Sequence, residues 1–453
     1  MTTTSPDLAG LAVFPGDPAY DEGRLPWNVA VDQRPAAVAL PGSAQEVASV
    51  VRAAADAGLQ VAPQGTGHAA RPLAVNDLSR TVLLRTTRMD HVFVDPARGV
   101  ARAEAGAIWQ PLVEAAAPHG LAGLHGSSPD VGVAGYTLGG GMGWYARKLG
   151  LACNSVLAVE LVTADGTLVR ADADHEPDLF WAVRGGGGGF GVVTAIELSL
   201  FPIDTAYAGF LAWDVRDTVK VLRRWAAWTA TAPDHVTTAF RVLRLPSIPE
   251  IPELLRGREL AVVDGVVLGS DEEGAALVAG LRELGPELDT FRRVPAHTLT
   301  RLHQDPEGGA PFVAEHCVLT ELTDSALDAY LDQVGPDATS PLLAAELRHL
   351  GGALGRPAPD AGALSHVAGA ATVFAVAMTP TPEAAAAGTA AGEALVAALA
   401  PWSDGLYLNF AETAVDARAA YDGATWRRLT EVRAAVDPDD VILANHRIAR
   451  AAS

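Results

Sequence analysis

Three stretches of this chain hold residues whose types and spacing could do chemistry. The first is Gln64-Gly65-Thr66-Gly67-His68-Ala69. A glycine-bounded turn after a strand lets consecutive backbone N–H groups point at one place, which suits a pyrophosphate when no lysine is offered. The spacing is not the dinucleotide fingerprint G-x-G-x-x-G, because Pro72 follows and no long apolar helix begins there. A nicotinamide-type nucleotide site is therefore disfavoured. His68 closes the turn with an imidazole; taken alone it reads as an ordinary turn histidine. The second stretch, 123–143, and the third, Arg184 with Gly185 to Gly189, Phe190 and Gly191, are so rich in glycine that something must pack against their backbones.

These stretches need elements to hold them. Residues 37–40 read as a strand, Ser43 with Glu46 three residues on starts an amphipathic helix, and 60–63 form a second strand, giving a β-α-β unit that ends in the first turn. Further strands are expected around 81–85 and from 100 to 105, with a turn at 95–99 between them. A helix over 110–119 is ended by Gly120, and alternating strands at 155–163 and 192–200 flank the third stretch. After Pro202 the composition shifts: 212–401 interleaves helices rich in Ala, Leu and Glu with strands such as 239–245, 261–268 and 343–350. From Leu406 the chain returns to a strand, then a helix with Trp426 and Leu429, then the tail Asn445-His446-Arg447-Ile448, which can pack back on the first part. A chain of 453 residues with 49% hydrophobic content can bury at least two cores, since single cores stop growing at roughly 250–300 residues. The expected class is α+β.

Taken together, Gly65-Thr66-Gly67-His68, Val131-Gly132-Val133-Ala134-Gly135 with Gly139-Gly140-Gly141, and Trp181-Ala182-Val183-Arg184 with Phe190-Gly191-Val192-Val193-Thr194 occur in an order that resembles the berberine-bridge-enzyme-like flavoproteins. The resemblance spans about 34–202 plus 407–448. It implies a PCMH-type FAD-binding domain over 1–204, a substrate domain over 205–404 built on an antiparallel sheet covered by helices, and a C-terminal return over 405–453. It also implies FAD bonded through its 8α-methyl to His68, an imidazole nitrogen being a suitable nucleophile. Many members add a second bond from a cysteine; Ser128 stands there, so a single tether is expected, as in nicotine-oxidising members.

By the same resemblance, FAD contacts are expected at Gly65, Thr66, Gly67, Ala69, Ser128, Val131, Gly132, Val133, Gly135, Tyr136, Gly141, Asn154, Val193 and Asn445. Val131 falls where members guard oxygen access, which favours an oxidase. Tyr407-Leu408-Asn409 resembles the Tyr-x-Asn motif of members that oxidise hydroxyl groups. Tyr407 is the expected base, provided a positive charge or hydrogen bond draws its pKa below the ordinary ~10. Glu346, Arg348 and His349 resemble the central substrate-facing strand, where alternate side chains point toward the flavin; each is a candidate substrate contact, and which face of the strand points inward is left open. The implied function is oxidation of an alcohol or hemiacetal carbon on a small molecule, with O2 as acceptor. Oxidation of a C–N bond in a heterocyclic amine and a flavin-binding protein without turnover are the alternatives.

Composition sets further bounds. The net charge of −21, without a Lys/Arg cluster, disfavours nucleic acid as a partner. Cys153 and Cys317 are the only cysteines, so neither a disulfide framework nor a Cys-rich zinc site organises the chain, and no metal is expected. Residues 1–28 are polar, acidic and Pro-rich, and no later run of ~20 apolar residues is expected, which points to a cytoplasmic protein with no membrane partner. Heavy Ala/Gly usage and only two lysines suggest a GC-rich bacterial genome.

Overall fold

In the computed structural model, which describes residues 8–249, 251 and 253–450, the strands gather into three sheets. Strands β1 (Ala37–Ala39), β2 (Gln60–Gln64) and β3 (Thr81–Arg85) form a parallel sheet with β3 in the middle. The helix Ala44–Asp56 crosses over it, burying Val47, Val50, Val51 and Ala54. Its start is fixed as the sequence implies: Ser43 Oγ accepts from the Glu46 N–H, and Glu46 turns back to accept from the Gly42 N–H.

Strands β4 (Val92–Asp95), β5 (Val100–Glu104), β6 (Val156–Val162), β7 (Leu168–Asp172) and β8 (Val192–Ser199) make an antiparallel sheet in the order β4-β5-β8-β6-β7. The helices Trp109–Ala116 and Pro177–Gly186 pack Trp109, Leu112, Phe180 and Val183 into its core. The helix expected over 110–119 ends as a tight 3-10 turn, closed by left-handed Gly120. Within the glycine-rich 123–143, a short helix, Val133–Leu138, does form, because Val133, Ala134 and Leu138 are buried against this same core.

The third sheet is antiparallel and has eight strands: β9 (Thr205–Asp214), β10 (Val236–Arg244), β11 (Glu259–Val267), β12 (Leu288–Asp289), β13 (Arg292–Pro295), β14 (Phe312–Leu319), β15 (Ala344–His349) and β16 (Ala371–Met378). Trp225, Phe240, Tyr330, Leu347, Val373 and Leu395 form a core between one face and the covering helices. The opposite face is set by register. Arg241, Glu346 and Phe374 lie in one cross-strand row, and Asp264, Ala239, Arg348 and Thr372 in the next.

The final segment closes on the first sheet. Val61 N–H donates to Val441 C=O at 2.7 Å and Leu443 N–H to Val61 C=O at 2.8 Å. Buried Arg433 ties the turn before it, pairing with Asp437 at 2.6 Å and donating to the Ile442 carbonyl at 2.8 Å.

Two expectations need correction. No strand begins at Leu406: the Tyr407 N–H donates to His316 Nε2 at 3.3 Å rather than to a neighbouring strand, and Leu408–Phe410 turn as a 3-10 helix. The chain also does contain an apolar run of about twenty residues. The alanine-rich helical stretch Pro382–Trp402 is long and apolar enough to cross a membrane by length and composition. It lies on the third sheet, however, with Leu395 and Leu399 fully buried and Gly388 and Gly392 set close against Ala377 and Glu315.

Candidate FAD and substrate site

The first turn leaves β2 and is pinned from below and above. Arg85, buried, donates through Nε to the Gly65 carbonyl at 3.2 Å, and the Trp27 N–H donates to the Thr66 carbonyl at 2.9 Å. Gly67 has φ +83°, and a Cβ there would run into Pro26, so only glycine takes this turn without strain. His68 follows with Nδ1 2.7 Å from Thr66 Oγ1 and its ring stacked on Trp27 at 4.3 Å.

A second wall comes from 126–139. The Trp109 N–H donates to Val131 C=O at 3.0 Å and Val133 N–H to Ala107 C=O at 2.9 Å, which bends Ser128 to Gly132 over the second sheet. A third comes from Gly185 to Gly188, held by Tyr421 Oη donating to Gly185 C=O at 2.8 Å and Gly187 N–H donating to Leu138 C=O at 3.1 Å.

Between these walls and the polar face of the third sheet runs one continuous cavity, with about 2550 Å³ of empty space including its opening to solvent. Its lining includes Gly65, Thr66, Gly67, His68, Ala69, Ser128, Val131, Gly132, Gly135, Tyr136, Val193, Glu346, Arg348, Tyr407 and Asn445. Asn445 also donates to the Ala69 carbonyl at 3.3 Å, joining the tail to the first turn.

Four expected contacts lie elsewhere. Val133 faces the hydrophobic core. Gly141 sits behind Tyr136, its carbonyl accepting from the Ala152 N–H at 2.9 Å. Asn154 fastens 362–365 from outside the cavity, donating to the carbonyls of Leu364 and Ser365 at 3.2 Å and accepting from the Gly362 N–H at 3.1 Å. His349 points to the helix-covered face of β15, edge-on to Trp225, so strand alternation removes it as a substrate contact. Burial there lowers its pKa to about 3.

On the cavity face, Glu346 and Arg348 form an ion pair at 2.5 Å. Burial works against both charges, but each outweighs it for the other: the Glu346 pKa is lowered and that of Arg348 raised. Behind them Arg241 pairs with fully buried Asp264 at 2.7 Å, and His303 stands 3.3 Å from the same carboxylate. Tyr407 is 1% exposed, with Asn409 Nδ2 3.3 Å from its hydroxyl. Burial raises its pKa above the ordinary value despite that hydrogen bond, so the lowering expected for a base is not supplied by the neighbouring side chains.

The residues fit a flavin dinucleotide. Gly135, Gly187 and Gly188 line the cavity with nothing within 4 Å of where a Cβ would stand, leaving backbone open to a ligand. His68 Nε2, Tyr136 Oη, Glu412 Oε2 and His446 Nδ1 line it too, buried and without a hydrogen-bond partner in the chain. Burial raises the Glu412 carboxyl to about 8. Reasoning from sequence missed Trp27, Asp130, Arg241, His303, Phe312, Phe374, Glu412, His446 and Tyr421 in this lining or its support. Only Asp130, lying between Ser128 and Val131, carried a local signal.

Fold and cavity together describe a protein with space for a flavin dinucleotide between glycine-lined walls and the polar face of the third sheet. Residues 35–172 match the FAD binding domain family, and the chain is similar to FAD-linked oxidoreductases and to structures of berberine-bridge-enzyme-like proteins. It is 39% identical over 207 residues to (R)-6-hydroxynicotine oxidase of Paenarthrobacter nicotinovorans, covering 46% of this chain and 45% of that one. Over 214 residues it is 34% identical to glucooligosaccharide oxidase of Sarocladium strictum, covering 46% and 43%. The chain thus spans about half the length of these curated relatives. Among solved structures, 6-hydroxy-D-nicotine oxidase from Arthrobacter nicotinovorans superposes with TM-score 0.81 at 26% identity over 97% of this chain and 98% of that one. The BBE-like 1 protein of Physcomitrella patens superposes with TM-score 0.87 at 21% identity over 100% of both, a likeness of fold.

Proposed function

We propose that the protein is an FAD-linked oxidase that takes a hydride from a C–OH carbon, alcohol or hemiacetal, of a small metabolite, with FAD tethered by a single bond to His68. The observation that carries the reading is that one cavity joins the His68 turn to Tyr407, Glu346 and Arg348. Bound FAD would supply the hydride acceptor and pass the electrons to O2 as hydrogen peroxide. The chain's own part is to position. The glycine walls offer backbone N–H groups to the pyrophosphate, and His68 anchors the ring end. Val131 leaves room for O2 beside the ring. Glu346 and Arg348 present paired donors and acceptors to a polar substrate, and Tyr407 with Asn409 holds the reacting hydroxyl.

Oxidation of a C–N bond is the second reading, favoured by the Tyr407 phenol, whose burial keeps its proton; a neutral amine surrenders hydride without a base. Acid precipitation of the purified protein tests the tether. The yellow chromophore is expected to stay with the wild-type polypeptide and to enter the supernatant from His68→Ala. Oxygen uptake with panels of alcohols, sugars and heterocyclic amines then separates the two chemistries. A colourless wild-type pellet would remove the tether, and an absence of uptake with every panel would leave a flavin-binding protein without turnover.

A further inference from the structure

His68 is held in a cage more elaborate than a pyrophosphate cradle requires. Trp27 stacks on one face of the imidazole with the ring planes 18° apart. Thr66 Oγ1 covers Nδ1. On the other edge stands Asp130, with Oδ1 3.8 Å from Nε2, beyond hydrogen-bond length but within reach of an ion pair. That carboxylate is itself fixed by three donors: Trp27 Nε1 at 2.7 Å and the Gly308 N–H at 2.9 Å on Oδ2, and Ser128 Oγ at 2.9 Å on Oδ1. One indole therefore both stacks on the imidazole and aims the carboxylate beside it. Burial alone would push the Asp130 carboxyl up; His68 beside it, then Trp27, the Gly308 N–H and Ser128, outweigh that and hold it well below the usual carboxylate range.

We propose that Asp130 is the group that orients His68 and stabilises its charge during covalent attachment of the flavin. The inference rests on the reading of His68 as the tether. Attachment forms one N–C bond to the 8α carbon and breaks one 8α C–H bond. The 8α carbon and the imidazole would each give up a proton, the two electrons released would reduce the ring, and O2, the oxidant of the proposed activity, would take both electrons and both protons as hydrogen peroxide. A fixed carboxylate facing Nε2 favours the tautomer protonated there, which leaves the lone pair of Nδ1 free to form the bond once the Thr66 hydroxyl turns aside. The same carboxylate stabilises the positive charge that grows on the imidazole as the bond forms. Ser128, standing where relatives carry the cysteine of a second tether, here holds the carboxylate that serves the first.

The test uses the full-length chain as wild type, His68→Ala, Asp130→Asn and Trp27→Phe. Each is incubated with added FAD, and flavin is followed over time in the acid pellet and supernatant and in the intact mass of the denatured chain. Asp130→Asn is expected to hold as much total flavin as wild type while attaching it on the order of 10²-fold more slowly, as for loss of a positioned charge. Trp27→Phe, which removes the Nε1 donor and keeps an aromatic ring, is expected to fall between them. Equal attachment rates in wild type and Asp130→Asn would overturn the proposal. So would loss of total flavin from Asp130→Asn, which would make the residue a cofactor anchor. Wild-type flavin found wholly in the supernatant would sink the tether reading itself, an outcome visible without the Asp130 variant.

Discussion

At the scale of single residues, the hydroxyl of Tyr407 decides which chemistry the site favours. Its proton is firmly held by burial, and the Arg348 guanidinium on the cavity face is already paired with Glu346 at 2.5 Å. Tyr407 can donate to or accept from a substrate hydroxyl as it stands, and becomes a base only when a bound ligand brings positive charge alongside. Tyr407→Phe is accordingly expected to lower turnover of a C–OH substrate by about 10²-fold. Bound flavin, read from visible absorbance, should be unchanged, because Asn409 keeps its 2.8 Å bond to the Tyr136 carbonyl of the second wall without the phenol. Equal turnover in the two proteins would take Tyr407 out of the chemistry and favour C–N oxidation.

At the scale of elements, β15 shows how a strand separates two duties. Leu347 and His349 face the helices, while Glu346 and Arg348 face the cavity. Leu347→Ala is expected to cost about 2–5 kcal/mol of stability with the flavin content of the surviving folded protein unchanged. The double change Glu346→Gln with Arg348→Met removes both charges, strands neither, and should raise KM with a smaller loss of stability. Denaturant titration and substrate saturation curves measure the two effects separately, and a Leu347→Ala protein of normal stability would show that the helix-covered face is not a packed core. The same strand marks what could be read from sequence. The existence of β15 was legible from its alternation, but its inward face was not, because polar residues occupy both sides. The His68 turn was legible because glycine spacing after a strand is a local backbone property. The pairing of Trp27 with Asp130 was not legible: the hydrogen bond joins positions 103 residues apart, and although Asp130 lies between Ser128 and Val131, nothing local points it to Trp27. The strand expected from Leu406 fails for a similar reason, since a distant histidine, His316, takes the N–H that a ladder would have used.

At the scale of the whole molecule, buried titratable groups set how stability depends on pH. His125 and His316 are lowered by burial from 6.5 to about 4, and His349 to about 3. In the folded state they stay neutral where the unfolded chain binds protons, so each makes stability rise with pH up to about 6.5, by on the order of 1.4 kcal/mol per pH unit. Glu412 acts in the opposite sense. Burial raises its folded pKa from 4.5 to about 8, so stability present below pH 4.5 is lost as pH climbs toward 8. Between 4.5 and 6.5 four lowered histidines, His446 among them, oppose two raised carboxyls, Glu315 and Glu412, and stability rises; above 6.5 the histidines no longer contribute and the raised carboxyls make stability fall. The urea midpoint is therefore expected to peak near pH 6.5, and Glu412→Gln should flatten the alkaline limb while leaving the acid limb in place. A midpoint that climbs steadily to pH 8 in the wild type, unaltered by Glu412→Gln, would mean that this carboxyl is ionised in the folded protein and that a cation or donor reaches it within the cavity.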